Sequence, residues 1–355
     1  MTRLRQLASV IDNDCALITS DVNRRYLTGM KSSAGCILLF KEKAYFIIDF
    51  RYIEKAKKLL ENDDFIEVIL QDKLYLQLEK LMKKHNAGTV SIENMTMTVS
   101  QLNTFKEKLK FSVDAGNGLS DKINSLRMVK TDEETECMIK AQRIAEAGLE
   151  HMFGFIDTGR TEREIQLELD YFMLKNGAEA LSFDTIALSG KNTSLPHGVP
   201  GEKKIEKGDF VLLDYGAVVD GYHSDMTRTL CVGEPSEKMK EVYSIVLEAQ
   251  LAGISAVKAG ITGRELDKIS RDIIEAAGYG RQFGHSLGHG VGMDIHEPPY
   301  AAGSYDGVIP AGSVVTVEPG IYIENEFGVR IEDFVIVTEN GCINMTKAPK
   351  ELISL

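Results

Sequence analysis

The sequence predicts two domains of mixed secondary structure, a smaller α/β domain over residues 1–122 and a larger α+β domain over residues 123–355. A chain of 355 residues has the length of two domains, at about 100 to 200 residues each. Strand-like and helix-like segments alternate in the first third, whereas the remainder contains capped helices and separate runs of strands. The hydrophobic content of 43 % and the charged content of 26 % are typical of a soluble globular protein.

In the first domain, short apolar runs are interleaved with amphipathic segments. These segments are CALIT, GCILLF, AYFII, YIEKAKKLL, FIEVIL and LYLQLEKLMKKH, at residues 15–19, 35–40, 44–48, 52–60, 65–70 and 74–85. Their alternation indicates a compact α/β domain. It contains no cluster of residue types that would carry catalysis.

The second domain is predicted to begin near residues 118–131, where the strand signals stop and a long helical pattern starts. Three Thr-x-x-Glu pairs have the spacing of a capping box, in which the threonine and the glutamate each bond the other's backbone amide. The pairs are Thr131/Glu134, Thr161/Glu164 and Thr262/Glu265. We therefore expect three capped helices, the first of which extends to about Met152.

Strand-like segments lie between and after these helices. They cover residues 209–219, 221–232, 313–323 and 328–337. Runs of strands with helices set to one side are typical of an α+β domain.

Charge and cysteine content restrict the possible partners. The formal net charge of −12 would repel phosphate backbones and anionic membranes, so we expect no nucleic-acid or membrane partner and favour a small molecule or a peptide. The five cysteines are scattered and never form CxxC, which indicates reduced thiols. The first twenty residues contain no signal-peptide core, so a cytoplasmic location is expected.

Two aspartates are predicted to converge on one face of a hairpin. Asp220-Gly221 is a strong hairpin-turn dipeptide between two β-rich runs. With that turn, paired positions place Asp214 opposite Thr227, with Asp225 on the diagonal and on the same face. Both aspartates could simply cap turns or face solvent, but an acidic residue in so apolar a strand needs a charge partner.

Three of the seven histidines fall within the segment GHSLGHGVGMDIHEPP, namely His285, His289 and His296. The glycines around them allow the backbone and a ligand to approach closely, which a structural histidine rarely requires. Imidazole is a common neutral metal ligand and also transfers protons near neutral pH. The segment therefore predicts a functional site.

Two glutamates complete the candidate set, Glu318 in VTVEPG and Glu332 in GVRIEDF. Each alone could be a buried salt-bridge partner, and Arg330 is predicted beside Glu332 on the same strand face. Together with Asp214, Asp225 and His289, however, they supply four negative charges, which two divalent ions would neutralise. Without such ions, four buried carboxylates would have raised pKa values and would destabilise the fold.

This set resembles the pita-bread dinuclear metallopeptidases. The resemblance rests on two aspartates eleven residues apart, GHG around His289, VEPG around Glu318 and RIED around Glu332. LPHGVP around His197, NRRYLTGM at residues 23–30 and a first domain of about 120 residues are similar to the Xaa-Pro branch, aminopeptidase P and prolidase. The resemblance implies a creatinase-like N-terminal domain, a pita-bread catalytic domain and a homodimer.

The resemblance also implies a role for each site residue. Asp214 would hold one divalent ion, His289 and Glu318 the other, and Asp225 and Glu332 would bridge them. Glu318 would also act as general base, His296 would stabilise the oxyanion or orient the peptide, and His197 and His285 would line a proline pocket. Arg330 would fix Glu332 and, with His197, His285 and His296, would contribute to substrate binding. A ligand set that is mostly carboxylate oxygen favours manganese, with cobalt, iron or zinc as alternatives.

Four functions fit this set to different degrees. Prolidase-like chains often carry an arginine after the HExP segment, whereas this sequence continues HEPPYAAG with Tyr300. The sequence therefore favours an Xaa-Pro aminopeptidase, acting on peptides with proline in second position, over an Xaa-Pro dipeptidase. A methionine aminopeptidase would not need the N-terminal domain or LPHGVP. A metal-free peptide-binding scaffold would not need the five ligands.

Overall fold

The computed structural model describes residues 2–355, which divide into two compact units between Arg127 and Met128. The division falls at the end of a helix, Gly118–Met128, which contains residue 122. No helix in the described range is both long enough and apolar enough to cross a bilayer.

The first unit is an α/β domain, as the sequence predicts. Its elements are α1 Arg3–Val10, β1 Cys15–Ile18, α2 Asp21–Thr28, β2 Cys36–Phe40, β3 Ala44–Ile48, α3 Ile53–Leu59, β4 Ile66–Leu70, α4 Leu74–Lys84, β5 Thr89–Ile92, α5 Val99–Lys108, β6 Ser112–Asp114 and α6 Gly118–Met128. The six strands form one mixed sheet in the order β4-β3-β2-β1-β5-β6. All residues of β1, β2 and β3 are buried, which explains why these strands are continuous apolar runs in the sequence.

The second unit has the α+β organisation that the strand and helix signals predict. Its elements are α7 Asp132–Phe153, α8 Glu162–Lys175, β7 Ala180–Leu181, β8 Ile186–Ser189, β9 Phe210–Tyr215, β10 Ala217–Val219, β11 Tyr222–His223, β12 Met226–Cys231, α9 Glu237–Ala256, α10 Gly263–Ala276, β13 Gly288–Gly290, β14 Glu297–Ala301, β15 Val314–Val317, β16 Gly320–Ile323, β17 Phe327–Arg330, β18 Asp333–Thr338 and β19 Gly341–Asn344, with short 3₁₀ helices at Gly190–Ser194 and Gly280–Gln282. All three predicted capping boxes are confirmed, at the starts of α7, α8 and α10.

Two apolar cores hold this unit together. In the first, α7 and α8 contribute Leu149 and Leu169, which pack with Leu213 of β9. In the second, α9 and α10 contribute Val246 and Leu266 to a cluster that includes residues of β15 and β18. Helices thus cover sheets in both halves of the unit, and strands from both halves contribute residues to one cavity.

Candidate metal centre and active site

The hairpin that carries both aspartates has the predicted register. Asp220 and Gly221 both have positive φ, 51° and 84°, as expected for the two central residues of a type I′ turn. Val219 pairs with Tyr222, and Asp214 of β9 pairs with Thr227 of β12.

Asp225 lies just before β12, next to Ser224, where the backbone passes very close to the backbone at Gly216. A Cβ at Gly216 would overlap the carbonyl oxygen of Ser224, so only glycine fits there. The close approach positions the backbone immediately before Asp225, whose side chain is buried.

Arg330 is bound to Asp214, and its predicted link to Glu332 is indirect, through the Thr227 hydroxyl, which accepts from Arg330 Nε and donates to Glu332. Its guanidinium donates to Asp214 Oδ2 at 2.5 Å, and both side chains are buried. The prediction assumed one strand over residues 328–337, but β17 ends at Arg330 and β18 begins at Asp333. Strict alternation of faces therefore does not extend to Glu332.

Glu332 is held instead by the threonine opposite Asp214. Thr227 Oγ1 donates to Glu332 Oε2 at 2.7 Å. The other oxygen, Glu332 Oε1, and Asp214 Oδ1 are both buried and accept no hydrogen bond from any residue of the described chain. Buried polar atoms are normally satisfied, so two unpaired carboxylate oxygens in one cavity fit the ligand sphere of a cation.

The acidity of the cluster supports the same conclusion. Burial, reinforced by the negative charges of the other carboxylates, raises the pKa of both Asp225 and Glu332 well above the usual range. A cluster of this kind is costly to ionise without a compensating positive charge. Divalent ions would supply that charge.

His289 projects from β13 toward the carboxylates of Glu318 and Asp225. Its Nδ1 lies 3.1 Å from Gly290 O, an acceptor, so Nδ1 carries the proton. Nε2 then faces Glu318 Oε1 at 3.3 Å and Asp225 Oδ2 at 3.6 Å. Although burial opposes the charged form, Glu318 raises the pKa of His289 to about 9. Without metal, His289 therefore keeps a proton on Nε2 between the two carboxylates, and a bound cation would replace that proton and leave a neutral imidazole as its ligand.

One ligand atom from each of Asp225, His289 and Glu332 lies within 4.8 Å of the others, a spacing that fits a metal ion. Glu318 adjoins this trio through His289 and is held by Thr316, whose hydroxyl donates to Glu318 Oε1 at 3.0 Å. The same hydroxyl accepts the backbone N–H of His289 at 3.0 Å. Thr316 thus joins two of the predicted ligands.

All nine residues singled out in the sequence line one cavity of about 780 Å³. They are His197, Asp214, Asp225, His285, His289, His296, Glu318, Arg330 and Glu332. The rings of His289 and His296 meet edge to face with centroids 4.2 Å apart. His223, just before the site residue Asp225, is outside the cavity lining, and its backbone N–H donates to Gly292 O at 2.9 Å.

Tyr322 is a site residue that the sequence reasoning missed. Arg330 donates to Tyr322 Oη at 2.6 Å, so the phenolic proton is directed to His285 Nε2 at 2.9 Å. His285 Nδ1, 2.8 Å from the acceptor Ser286 O, therefore carries the single N–H proton of the ring. Burial lowers the pKa of His285, which favours this neutral form. Little in the sequence pointed to Tyr322, because the predicted strand 313–323 divides into β15 and β16, and alternation from Glu318 does not extend across that break.

We expect Tyr322→Phe to lower kcat about tenfold to a hundredfold, because Arg330 and His285 each lose a partner that orients them. Steady-state kinetics would measure this loss. Tyr243→Phe is the matched control, because that buried hydroxyl donates to Lys350 O at 2.7 Å and not to a residue of the cavity lining. Similar kinetic losses in the two variants would contradict a role for Tyr322 in the site.

Glycines at three alternate positions shape the segment that carries His289. A Cβ at Gly288 would overlap Thr316 O, and one at Gly290 would overlap Glu297 O. A Cβ at Gly292 would overlap the Glu297 carboxylate. The close packing around His289 therefore depends on the absence of side chains at these positions.

This fold and this carboxylate–imidazole cluster define a metal-dependent hydrolase of the pita-bread class. The profile of metallopeptidase family M24 matches residues 136–339, and that of the creatinase/prolidase N-terminal domain matches residues 1–129. The chain therefore belongs to metallopeptidase family M24. Membership of this family implies divalent metal ions, and the predicted fold and family resemblance are confirmed.

Individual relatives are similar over nearly the whole chain. A Xaa-Pro dipeptidase from Pyrococcus furiosus is 40 % identical, with 99 % of each chain covered. Among solved structures, a Xaa-Pro dipeptidase from Bacillus anthracis is 46 % identical with a TM-score of 0.95, and 99 % of each chain is covered. An X-Pro aminopeptidase from Thermotoga maritima is 36 % identical with a TM-score of 0.89, covering 98 % of this chain and 99 % of that one.

Proposed function

We propose that this M24 metallopeptidase is an Xaa-Pro dipeptidase, which hydrolyses the bond between the first residue and proline in dipeptides. The observation that carries the proposal is the end-to-end similarity to proteins named Xaa-Pro dipeptidase. The sequence alone ranked an aminopeptidase first, because HEPP is followed by Tyr300 and not by arginine. The comparisons favour the dipeptidase, the second of those alternatives, since the aminopeptidase structure is less similar.

Five residues would hold the metal ions. We propose that Asp214, Asp225, His289, Glu318 and Glu332 would together hold two divalent ions. Unpaired oxygens on Asp214 and Glu332 and the spacing of Asp225, His289 and Glu332 support this assignment. Because four of the five ligands are carboxylates, manganese is the ion we expect. Bound divalent ions would supply Lewis-acid activation of the attacking water and of the peptide carbonyl.

The protein's own groups would move the proton and position the peptide. Glu318, whose Oε1 accepts from Thr316, would take the proton from the attacking water and return it to the leaving proline nitrogen. His296, whose ring meets that of His289 edge to face, would donate to the developing oxyanion.

The histidines of the cavity wall would accept the proline ring. Both ring nitrogens of His285 are engaged by Ser286 O and Tyr322, so His285 offers carbon edges and not a donor to the substrate. His197 lines the same cavity on the segment Pro196–Pro200. An Xaa-Pro bond has no N–H to grip, and a shaped apolar wall can select proline without one.

Substrate length tests the proposal. The protein would be stripped with chelator, reloaded with manganese, and assayed on alanyl-proline, on alanyl-prolyl-alanine and on a methionyl peptide. We expect cleavage of the dipeptide, with little or none of the others. Preferential cleavage of the tripeptide would make the chain an aminopeptidase. No cleavage of any of the three substrates with manganese, cobalt, iron or zinc would contradict an enzymatic role.

Removal of the metal is expected to lower the melting temperature, and more so at pH 8 than at pH 5.5. Asp225 and Glu332 have raised pKa values in the metal-free fold, so this fold retains protons that the unfolded chain releases. Its stability therefore falls as pH rises above the usual carboxyl range. Bound ions replace those protons, and they increase the free energy of unfolding by about 2.7 kcal/mol when the free metal concentration is 100 times Kd.

Calorimetry with and without manganese at the two pH values would measure this difference. In Glu332→Gln the pH dependence of the difference should shrink, because one of the two carboxyls is gone. A stabilisation by manganese that is equal at both pH values, or larger at pH 5.5, would contradict the expected linkage.

A further inference from the structure

A dipeptide leaves its proline with a free carboxylate, and the cavity must provide a cation to receive it. Only two lysines or arginines of the described chain line the cavity, Arg163 and Arg330. Arg330 is largely engaged, because it donates to Asp214, Tyr322, Thr227 and the carbonyl of Pro196. It is therefore held mainly by the metal cluster, and Arg163 has more donors available for a substrate.

Arg163 is the second residue of α8, and its side chain is exposed at the cavity wall. It donates from one guanidinium nitrogen to Gln166 Oε1 at 2.7 Å and forms no ion pair with any residue between 2 and 355. A guanidinium has five N–H donors in a planar fork that matches a carboxylate. Most of the hydrogen-bonding capacity of Arg163 is therefore available to a ligand.

Arg163 also lies beside the segment that would hold proline. Its backbone N–H donates to Gly201 O at 3.0 Å, and the backbone N–H of Gly201 donates to Glu162 Oε2 at 3.2 Å. These bonds tie the first turn of α8 to the end of the segment that carries His197. Because the carboxylate of a C-terminal proline is attached to the ring itself, its receptor must lie at the proline end of the cavity.

The charge around Arg163 suits an anion. It is in the first turn of α8, where the helix dipole favours negative charge. Asp184 lies in the same cavity wall, and Asp170 is near enough for the charge of Arg163 to act on its carboxylate, but neither aspartate forms an ion pair with Arg163 in the described chain. The guanidinium therefore keeps its donors for a ligand carboxylate.

We propose that Arg163 binds the C-terminal carboxylate of the dipeptide and so limits the enzyme to two-residue substrates. This inference rests on the proposed dipeptidase function. It supplies, from α8, the cation that the sequence lacks after HEPP, where Tyr300 stands.

Arg163→Met tests the inference with two substrates, alanyl-proline and alanyl-prolinamide, which differ only in the charge of the carboxyl end. We expect KM for alanyl-proline to rise about tenfold to a hundredfold with little change in kcat, because the contact is the same in ground and transition states. KM for alanyl-prolinamide should change less than about twofold, since the amide offers Arg163 no charge. Arg163→Lys should recover part of the acid-over-amide preference.

Arg264→Met is the matched control. Arg264 is also the second residue of a helix with a capping box, α10, and its backbone N–H also donates to a loop carbonyl, that of Tyr305. It is exposed, pairs with Asp306 and is outside the cavity lining, so its loss should leave both substrates unaffected.

Two results would overturn the role of Arg163: unchanged cleavage of alanyl-proline by Arg163→Met, or equal losses on the acid and the amide. Failure of the function itself gives a different signature. In that case the wild-type protein cleaves alanyl-prolyl-alanine but not alanyl-proline, whatever residue stands at position 163.

Discussion

Asp225→Asn is expected to lower kcat/KM on alanyl-proline by on the order of 10³-fold or more. Asp225 is the carboxylate between His289 and the other acidic groups, 3.6 Å from His289 Nε2. Asparagine keeps the shape but removes the charge and places an N–H₂ donor where a cation would bind. Bound manganese, measured by mass spectrometry after gel filtration, should fall together with activity.

Asp209→Asn controls for the loss of a partly buried carboxylate elsewhere in the same unit. Asp209 pairs with Lys203 at 2.7 Å and is outside the cavity lining, so activity and metal content should persist. Activity in Asp225→Asn within tenfold of wild type would exclude Asp225 as a metal ligand.

The largest loss of stability is expected from Arg228→Met, at about 3 to 5 kcal/mol. Arg228 is buried and pairs with Asp333 at 2.7 Å, and Asp333 is also fully buried. The same guanidinium donates to four backbone carbonyls, those of Thr227, Glu332, Ala348 and Pro349. Methionine would fill the space but would leave the carboxylate and the carbonyls without that donor.

Urea unfolding with saturating manganese would measure the change in the free energy of unfolding. The relevant transition is that of the second unit, which contains Arg228. Arg264→Met again serves as the control, because its pair with Asp306 is exposed and should contribute no more than about 1 kcal/mol. Equal destabilisation of the two variants would show that the buried pair has no special importance for the fold.

The features that the sequence predicted well depend on local chemistry. Asp220-Gly221 selects a two-residue turn, and that turn fixes the pairing of Asp214 with Thr227. Each capping box involves residues only three positions apart, so its spacing is visible without a structure.

The features that the sequence did not predict depend on distant contacts. Arg330 pairs with Asp214, 116 positions away, and the break between β17 and β18 removes the alternation that pointed to Glu332. Tyr322 acts only through Arg330 and His285, which meet in the folded chain. The sequence ranked the aminopeptidase above the dipeptidase on one position, Tyr300 of β14, whereas Arg163 of α8 also brings a cation to the cavity wall.

The glycines around His289 have a consequence for how mutational tolerance is interpreted. Any side chain at Gly288, Gly290 or Gly292 would collide with backbone or with Glu297, so saturation mutagenesis should find these positions as intolerant as His289 itself. Substitutions at the glycines and at His289 would then reduce activity alike. Activity alone would therefore not distinguish the proposed metal ligand from residues that are required only for packing. Metal content would separate them only for variants that still fold.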